Sequence, residues 1–214
     1  RLAGMGATVV CVARTASDLA ETTRAAAGCS GLCVDIAGDG AAAAMVAAVL
    51  ERHGRLDLLV HAAGALSAGT VEGVPPREVE RLFRVNVLAP VALTQAALPD
   101  LRRARGQIVF VNSSIVRAAN LAGRSLYAAT KAALRAVADG VRDEENGAGV
   151  RVVSVMPGTT ATPGQAAMFA AADRPCRPER LLQADDVAQT VCSALSMPDT
   201  AELTELFVRP MLAP

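Results

Sequence analysis

The chain has 214 residues, of which 52% are apolar, 20% are charged and only 2% are aromatic. Its 21 Lys and Arg balance 21 Asp and Glu, so a formal net charge of zero gives no electrostatic case for nucleic acid or an anionic membrane surface. Five cysteines without a C-x-x-C spacing, and two histidines, argue against a zinc site and suit a reduced, cytoplasmic setting. Arg1–Met5 read as the tail of a helix stopped by Gly6. Ala7–Ala13 (ATVVCVA) is a continuous apolar, β-branched run, the pattern of a buried parallel strand. Ser17–Ala27 is predicted as a short helix, Gly31–Ile36 as a strand, Asp39–His53 as an alanine-rich helix stopped by Gly54, and Leu56–His61 as a third buried strand.

A long helical region is expected from Pro76, suited to a helix first turn, to Ala104, with a break near Pro90. Gln107–Asn112 reads as a strand, Ser125–Glu145 as a helix, Val150–Met156 as a strand and Ala184–Ser196 as a helix, with Glu202–Val208 closing as a last strand. Pro163–Leu182, rich in Ala and Pro, is expected to be irregular. No run is judged long and apolar enough to span a bilayer, and no signal peptide is seen. Apolar strands separated by helices imply an α/β fold: a doubly wound parallel sheet in three layers, forming a single domain over residues 1–214. Ligands of such sheets bind beyond the carboxyl ends of the strands, so the residues leaving each strand are the candidates for chemistry.

Tyr127 is the only tyrosine and Lys131 the only lysine, every other basic position being Arg. Four residues apart on a helix, they share one face. An ammonium is a compact charge whose protonation can be tuned, whereas a guanidinium stays charged. A cation beside a phenol is expected to lower its pKa and fit it for proton transfer near neutrality. Ser114, at the end of the strand QIVFVN and thirteen residues before Tyr127, offers a hydroxyl to hold a substrate oxygen; Ser113 is equally available on local chemistry. Arg14 follows ATVVCVA with Thr15 and Ser17 nearby, a basic and hydroxyl-bearing strand end that suits a phosphate.

Ser114, the thirteen-residue gap and Tyr127-Ala-Ala-Thr-Lys131 resemble the active-site segment of the short-chain dehydrogenase/reductase family, and the resemblance extends over nearly the whole chain. It implies a Rossmann-like fold and NADP(H) as cofactor. In the catalytic set that it implies, Tyr127 is the proton donor, Lys131 its helper and ribose ligand, Ser114 the holder of the oxygen and Asn86 the support of a proton relay. It further places Asp35 and Ile36 beside the adenine, and Ala62, Ala63 and Gly64 in the loop where relatives carry Asn-Asn-Ala-Gly, with His61 in place of the first Asn. Pro157, Gly158 and Thr162 fall near the nicotinamide carboxamide. The same likeness implies a small-molecule carbonyl or alcohol substrate, a homodimer or homotetramer, and a substrate lid over Pro163–Leu182, with neither nucleic acid nor membrane as partner.

The family's glycine-rich loop, and the central strand before it, would precede Arg1. Gly4-Met5-Gly6 is no substitute, because it precedes a strand rather than following one. The expectation is therefore an N-terminally incomplete record of a longer protein, whose neighbouring strands lose hydrogen-bonding partners. Two other functions compete with an NADP(H)-linked oxidoreductase. One is a family member without turnover, its cofactor binding impaired. The other is a sugar-nucleotide epimerase or dehydratase, which shares Tyr-x-x-x-Lys but usually carries a larger C-terminal substrate region.

Overall fold

A computed structural model describes residues 1–24 and 28–212, so the end of the predicted helix Ser17–Ala27 lies outside the described residues. Strands and helices alternate: β1 (Val9–Ala13), α1 (Ala16–Arg24), β2 (Cys29–Cys33), α2 (Ala41–His53), β3 (Leu58–His61), α3 (Pro76–Phe83), α4 (Ala89–Ala104), β4 (Gln107–Val111), α5 (Ser125–Glu145), β5 (Arg151–Pro157), α6 (Pro163–Ala171), α7 (Ala184–Leu195) and β6 (Glu205–Val208). Side chains on a strand point alternately to opposite faces. Ile108 and Phe110 of β4 therefore pack with Val46, Ala97, Leu101, Leu134 and Ala138 from α2, α4 and α5. The intervening Val109 packs on the other face with Val153 and Val155 of β5 and Val191 and Ala194 of α7. The result is the three-layer, doubly wound arrangement expected.

Every ladder is parallel, but the strands fall into two sheets among the described residues. β1 pairs with β2, and β3, β4, β5 and β6 pair in that order. No ladder joins β1 to β3 among the described residues, so the sheet is divided between them. Strand β2 begins two residues earlier than predicted because Val9 pairs with Cys29 and Cys11 with Gly31, and the chain turns away after Cys33.

Two helical predictions need correction. The expected break near Pro90 lies instead at Arg84–Leu88, a single π-helical turn whose last bond runs from the Ala89 N–H to the Arg84 carbonyl. Proline lacks the N–H that would bond four residues back, so Pro90 leaves the Asn86 carbonyl without its ordinary helical partner, and widening the preceding turn accommodates this. The region expected to be irregular contains α6. Thr162 caps it by accepting the Gln165 N–H at 3.1 Å, Pro163 fits its first turn, and Ala, Gln, Met and Phe sustain it.

Pro76–Ala104 is helical throughout, and by length and composition it is long and apolar enough to cross a membrane, with mean hydropathy 1.2 over its most apolar stretch. That corrects the reading that no run is long enough. Here Leu82, Ala97 and Leu101 are fully buried in the protein core, whereas Leu88 is exposed.

Candidate active site

Strand β4 leads into Asn112-Ser113-Ser114, and Ser114 opens a short 3-10 turn, Ser114–Arg117. The Ser113 hydroxyl caps that turn by accepting the Ile115 N–H at 3.2 Å. Asn112 is held twice: its N–H donates to the Val155 carbonyl at 2.8 Å, and its side-chain amide donates to the Lys131 carbonyl at 3.1 Å. Its buried Oδ1 has no hydrogen-bond partner. The end of β4 is thereby fastened to the helix that carries Tyr127 and Lys131.

Lys131 is 5% exposed, and its ammonium donates to the Val111 carbonyl at 3.3 Å. Its Nζ lies 5.9 Å from the centroid of the Tyr127 ring. Burial pulls the Lys131 ammonium down to about 8. Burial also pushes the Tyr127 phenol above its ordinary value, and the nearby Ser113 hydroxyl pulls it back down less strongly. The expected lowering of the phenol by Lys131 is not seen: burial raises the phenol, and the group that offsets it is Ser113. At neutral pH the phenol keeps its proton.

Asn86 sits in the π-helical turn, almost wholly buried. Its Oδ1 accepts the Ala65 N–H at 2.7 Å, while Nδ2 donates to the Ala65 carbonyl at 2.9 Å and to the Thr130 hydroxyl at 3.0 Å. Thr130 in turn donates to the Tyr127 carbonyl at 2.8 Å. One side chain therefore ties the loop after β3 to α5. Gly64, in that loop, lies so close that a Cβ there would sit 3.5 Å from Asn86 Oδ1 and 3.8 Å from Lys131 Nζ.

A cavity of about 1210 Å³ opens in front of these residues. Of the predicted site residues, Ala62, Ser114, Tyr127, Pro157, Gly158 and Thr162 line it. Asn86 and Lys131 are buried, off its wall; Ala63 and Gly64 belong to the loop tied down by Asn86 but do not line it either. Arg14, Asp35 and Ile36 lie apart at the carboxyl ends of β1 and β2. Arg14 is exposed there, and Asp35 spends one carboxylate oxygen on the Ala37 N–H at 3.0 Å. The cavity also runs along Val9 and Cys11 of β1 and Val60 of β3, the facing edges of the two sheets.

The family is decided by comparison. The short chain dehydrogenase family model matches residues 1–173. The chain belongs to the short-chain dehydrogenase family. A ketoacyl reductase, HetN, from Nostoc sp. is 33% identical over 168 residues, covering 76% of this chain and 58% of that protein. Dehydrogenase/reductase SDR family member 7B of Mus musculus is 33% identical over 162 residues, covering 72% and 50%. The chain thus spans about half the length of the curated relatives it matches. Among solved structures, a metagenomic short-chain oxidoreductase in complex with NADP superposes with a TM-score of 0.81 at 29% identity, covering 99% of this chain and 89% of that one. A short-chain dehydrogenase from Streptomyces avermitilis gives 0.79 at 28% identity, covering 96% and 80%.

Within this short-chain dehydrogenase, sequence reasoning missed one linking residue. Thr130 links Asn86 to α5, and its position three residues after Tyr127 was the available signal. Ser113 is the serine near the phenol, whereas family spacing singles out Ser114. His61 is buried and neutral, pushed down to about 3 by desolvation, stacked on Phe110 at 4.7 Å and hydrogen-bonded to Thr94 at 2.9 Å, which fits a structural part.

Proposed function

We propose that the protein is an NADP(H)-dependent oxidoreductase that interconverts a small-molecule carbonyl and its alcohol, with Tyr127 as general acid and base. The observation that carries this reading is a half-buried Tyr127 that lines a cavity, with Ser113 and Ser114 on the same wall and the chain's one lysine a turn away. The cofactor supplies the hydride. The residues present fit its nicotinamide end: Lys131 beside Gly64 offers a donor to a ribose, while Pro157, Gly158 and Thr162 flank the cavity. At its adenosine end Arg14 is free of carboxylate partners among the described residues and would take a 2′-phosphate, with Asp35 and Ile36 beside the adenine. No glycine-rich phosphate loop is found among the described residues, so the pyrophosphate end is not accounted for by this stretch of chain.

In reduction, Tyr127 gives its proton to the carbonyl oxygen, which Ser114, or Ser113 nearer the phenol, holds by a hydrogen bond. Lys131 stabilises the phenolate left behind. Asn86 keeps Ala65 and Thr130 in place, so that the loop and helix framing the cavity hold their relative positions. A cytoplasmic homodimer or homotetramer, paired through Pro76–Ala104 and Ser125–Glu145, completes the proposal; exposed Leu88 lies in the first of these stretches.

The test is oxidation of NADPH with a panel of aldehydes and ketones, followed at the cofactor's absorbance. Tyr127→Phe should abolish turnover and leave NADPH binding intact. Full activity in that variant removes Tyr127 from the acid role. Equal kcat/KM with NADH and NADPH refutes the assignment of Arg14.

A further inference from the structure

Among the described residues, four arginines and no carboxylate line the cavity in front of Tyr127. Two of the four are neutralised. Arg1 is paired with Asp185, and Arg117 lies 3.6 Å from Glu205 and stacks 3.7 Å from the centroid of the Phe207 ring. The other two, Arg124 and Arg174, have no carboxylate within ion-pair distance among the described residues. Arg124 precedes α5 directly and stands three residues before Tyr127, donating only to the Asn120 carbonyl at 3.2 Å. Arg174 follows α6 and rests 5.1 Å from the centroid of the Phe169 ring. Arg177 and Arg180, equally basic in the sequence, do not line the cavity.

We propose that the substrate of this site is an apolar carbonyl compound that also carries a carboxylate, and that Arg124 and Arg174 hold that carboxylate. The inference rests on the oxidoreductase reading of the same cavity and names its substrate class. Two unneutralised guanidiniums on a wall without carboxylates make a potential that favours an anion, and a guanidinium fork matches a carboxylate's two oxygens. Leu66, Ile115, Met168 and Phe169 supply apolar walls for the rest of the molecule. The 2′-phosphate of the cofactor is the competing anion, but the residue placed for it, Arg14, lies off this cavity at the end of β1. Arg124 instead directly precedes the helix that carries Tyr127, and Arg174 follows α6, whose Met168 and Phe169 line the same cavity.

The test compares 4-carboxybenzaldehyde, benzaldehyde and methyl 4-formylbenzoate as substrates of the whole protein with NADPH. The acid should be reduced with kcat/KM at least tenfold above both neutral aldehydes, chiefly through KM. The Arg124→Gln/Arg174→Gln double variant should lose most of that acid-to-neutral ratio, while the Kd for NADPH moves less than threefold. Equal kcat/KM for acid and ester overturns the inference and leaves the oxidoreductase reading standing. An NADPH affinity that falls tenfold in the double variant overturns it too, by assigning the arginines to the cofactor. Binding of 4-carboxybenzaldehyde to the NADPH-loaded protein, measured by calorimetry, is read separately from turnover. Binding lost in the double variant, with no NADPH oxidised by any aldehyde, keeps the anion site and sinks the oxidoreductase reading. Binding equal in wild type and double variant sinks the anion site.

Discussion

Replacing Lys131 by Met should stabilise the protein at neutral pH and do so less and less as pH rises. In the folded state burial brings the ammonium from 10.5 down to about 8. Because the folded pKa is depressed, the unfolded chain binds more protons between those values, and stability is gained as pH rises through them and lost as it falls. At about 1.36 kcal/mol per pH unit, the gap costs the folded state roughly 3 kcal/mol at pH 7. Methionine is uncharged and of similar length, so it removes that cost, but it also removes the hydrogen bond to the Val111 carbonyl, worth about 1 kcal/mol. The expected gain is therefore about 2 kcal/mol at pH 7, shrinking to nothing and turning into a small loss near pH 10. The assay is urea unfolding of wild type and variant from pH 7 to 10, with both proteins also carrying Tyr127→Phe so that the neighbouring phenol does not titrate. A difference in stability that stays constant over that range refutes the reasoning, because a buried titrating ammonium cannot give one.

Asn86→Ala should cost about 2–3 kcal/mol, since it strips partners from the buried backbone of Ala65 and from Thr130; chemical denaturation reads it, and a loss under about 0.5 kcal/mol contradicts the network. Ser113→Ala and Ser114→Ala separate the two serines. If the geometry here governs, Ser113→Ala lowers kcat and raises the Tyr127 pKa in the pH–rate profile, because it removes the contact that pulls the phenol down. A change confined to Ser114→Ala returns the role to the serine that family spacing selects. Gly106→Ala should destabilise by about 1–3 kcal/mol in a melting experiment. Its Cβ would stand 2.5 Å from the carbonyl oxygen of Asp57, a backbone atom with little room to yield.

How much of the fold is legible in the sequence varies with what decides each feature. Strands β3, β4 and β5 announce themselves because strands buried on both faces need uninterrupted apolar side chains, as LDLLVH and QIVFVN supply. Strand β2 starts two residues before its sequence signal because register comes from its partner: Val9 meets Cys29, and GLCVDI contains no local trace of that pairing. The π-helical turn looks like a break at Pro90, since proline marks where the N–H is missing but not where the chain absorbs the defect. Helix α6 hides among prolines that make its alanines look irregular, although Thr162 followed by Pro163 is a sound helix start. At the site, the identities of Tyr127, Lys131 and Asn86 and their places in the fold are all visible in the sequence. The direction of the Tyr127 shift is not, because it depends on burial, which appears only once β4, α5 and the loop after β3 close around the pair.

The same burial accounts for the singular lysine. Every other one of the chain's 21 Lys and Arg residues is arginine. At an exposed or paired position that substitution has little cost, and Arg102–Glu145 and Arg55–Asp57 show guanidiniums in forked contact with carboxylates. Position 131 offers neither solvent nor a carboxylate, only the Val111 carbonyl at one donor's distance. A guanidinium there would keep its charge at any attainable pH, with five N–H groups and one acceptor in view. An ammonium needs fewer partners and can shed its proton near pH 8, so the charge beside Tyr127 is held close to its own titration point. A group in that condition responds to small changes in its neighbourhood. Under the proposed mechanism, a phenolate forming on Tyr127 would favour the charged ammonium and raise the Lys131 pKa. Position 131 is thus buried and without a carboxylate, where an ammonium is easier to accommodate than a guanidinium.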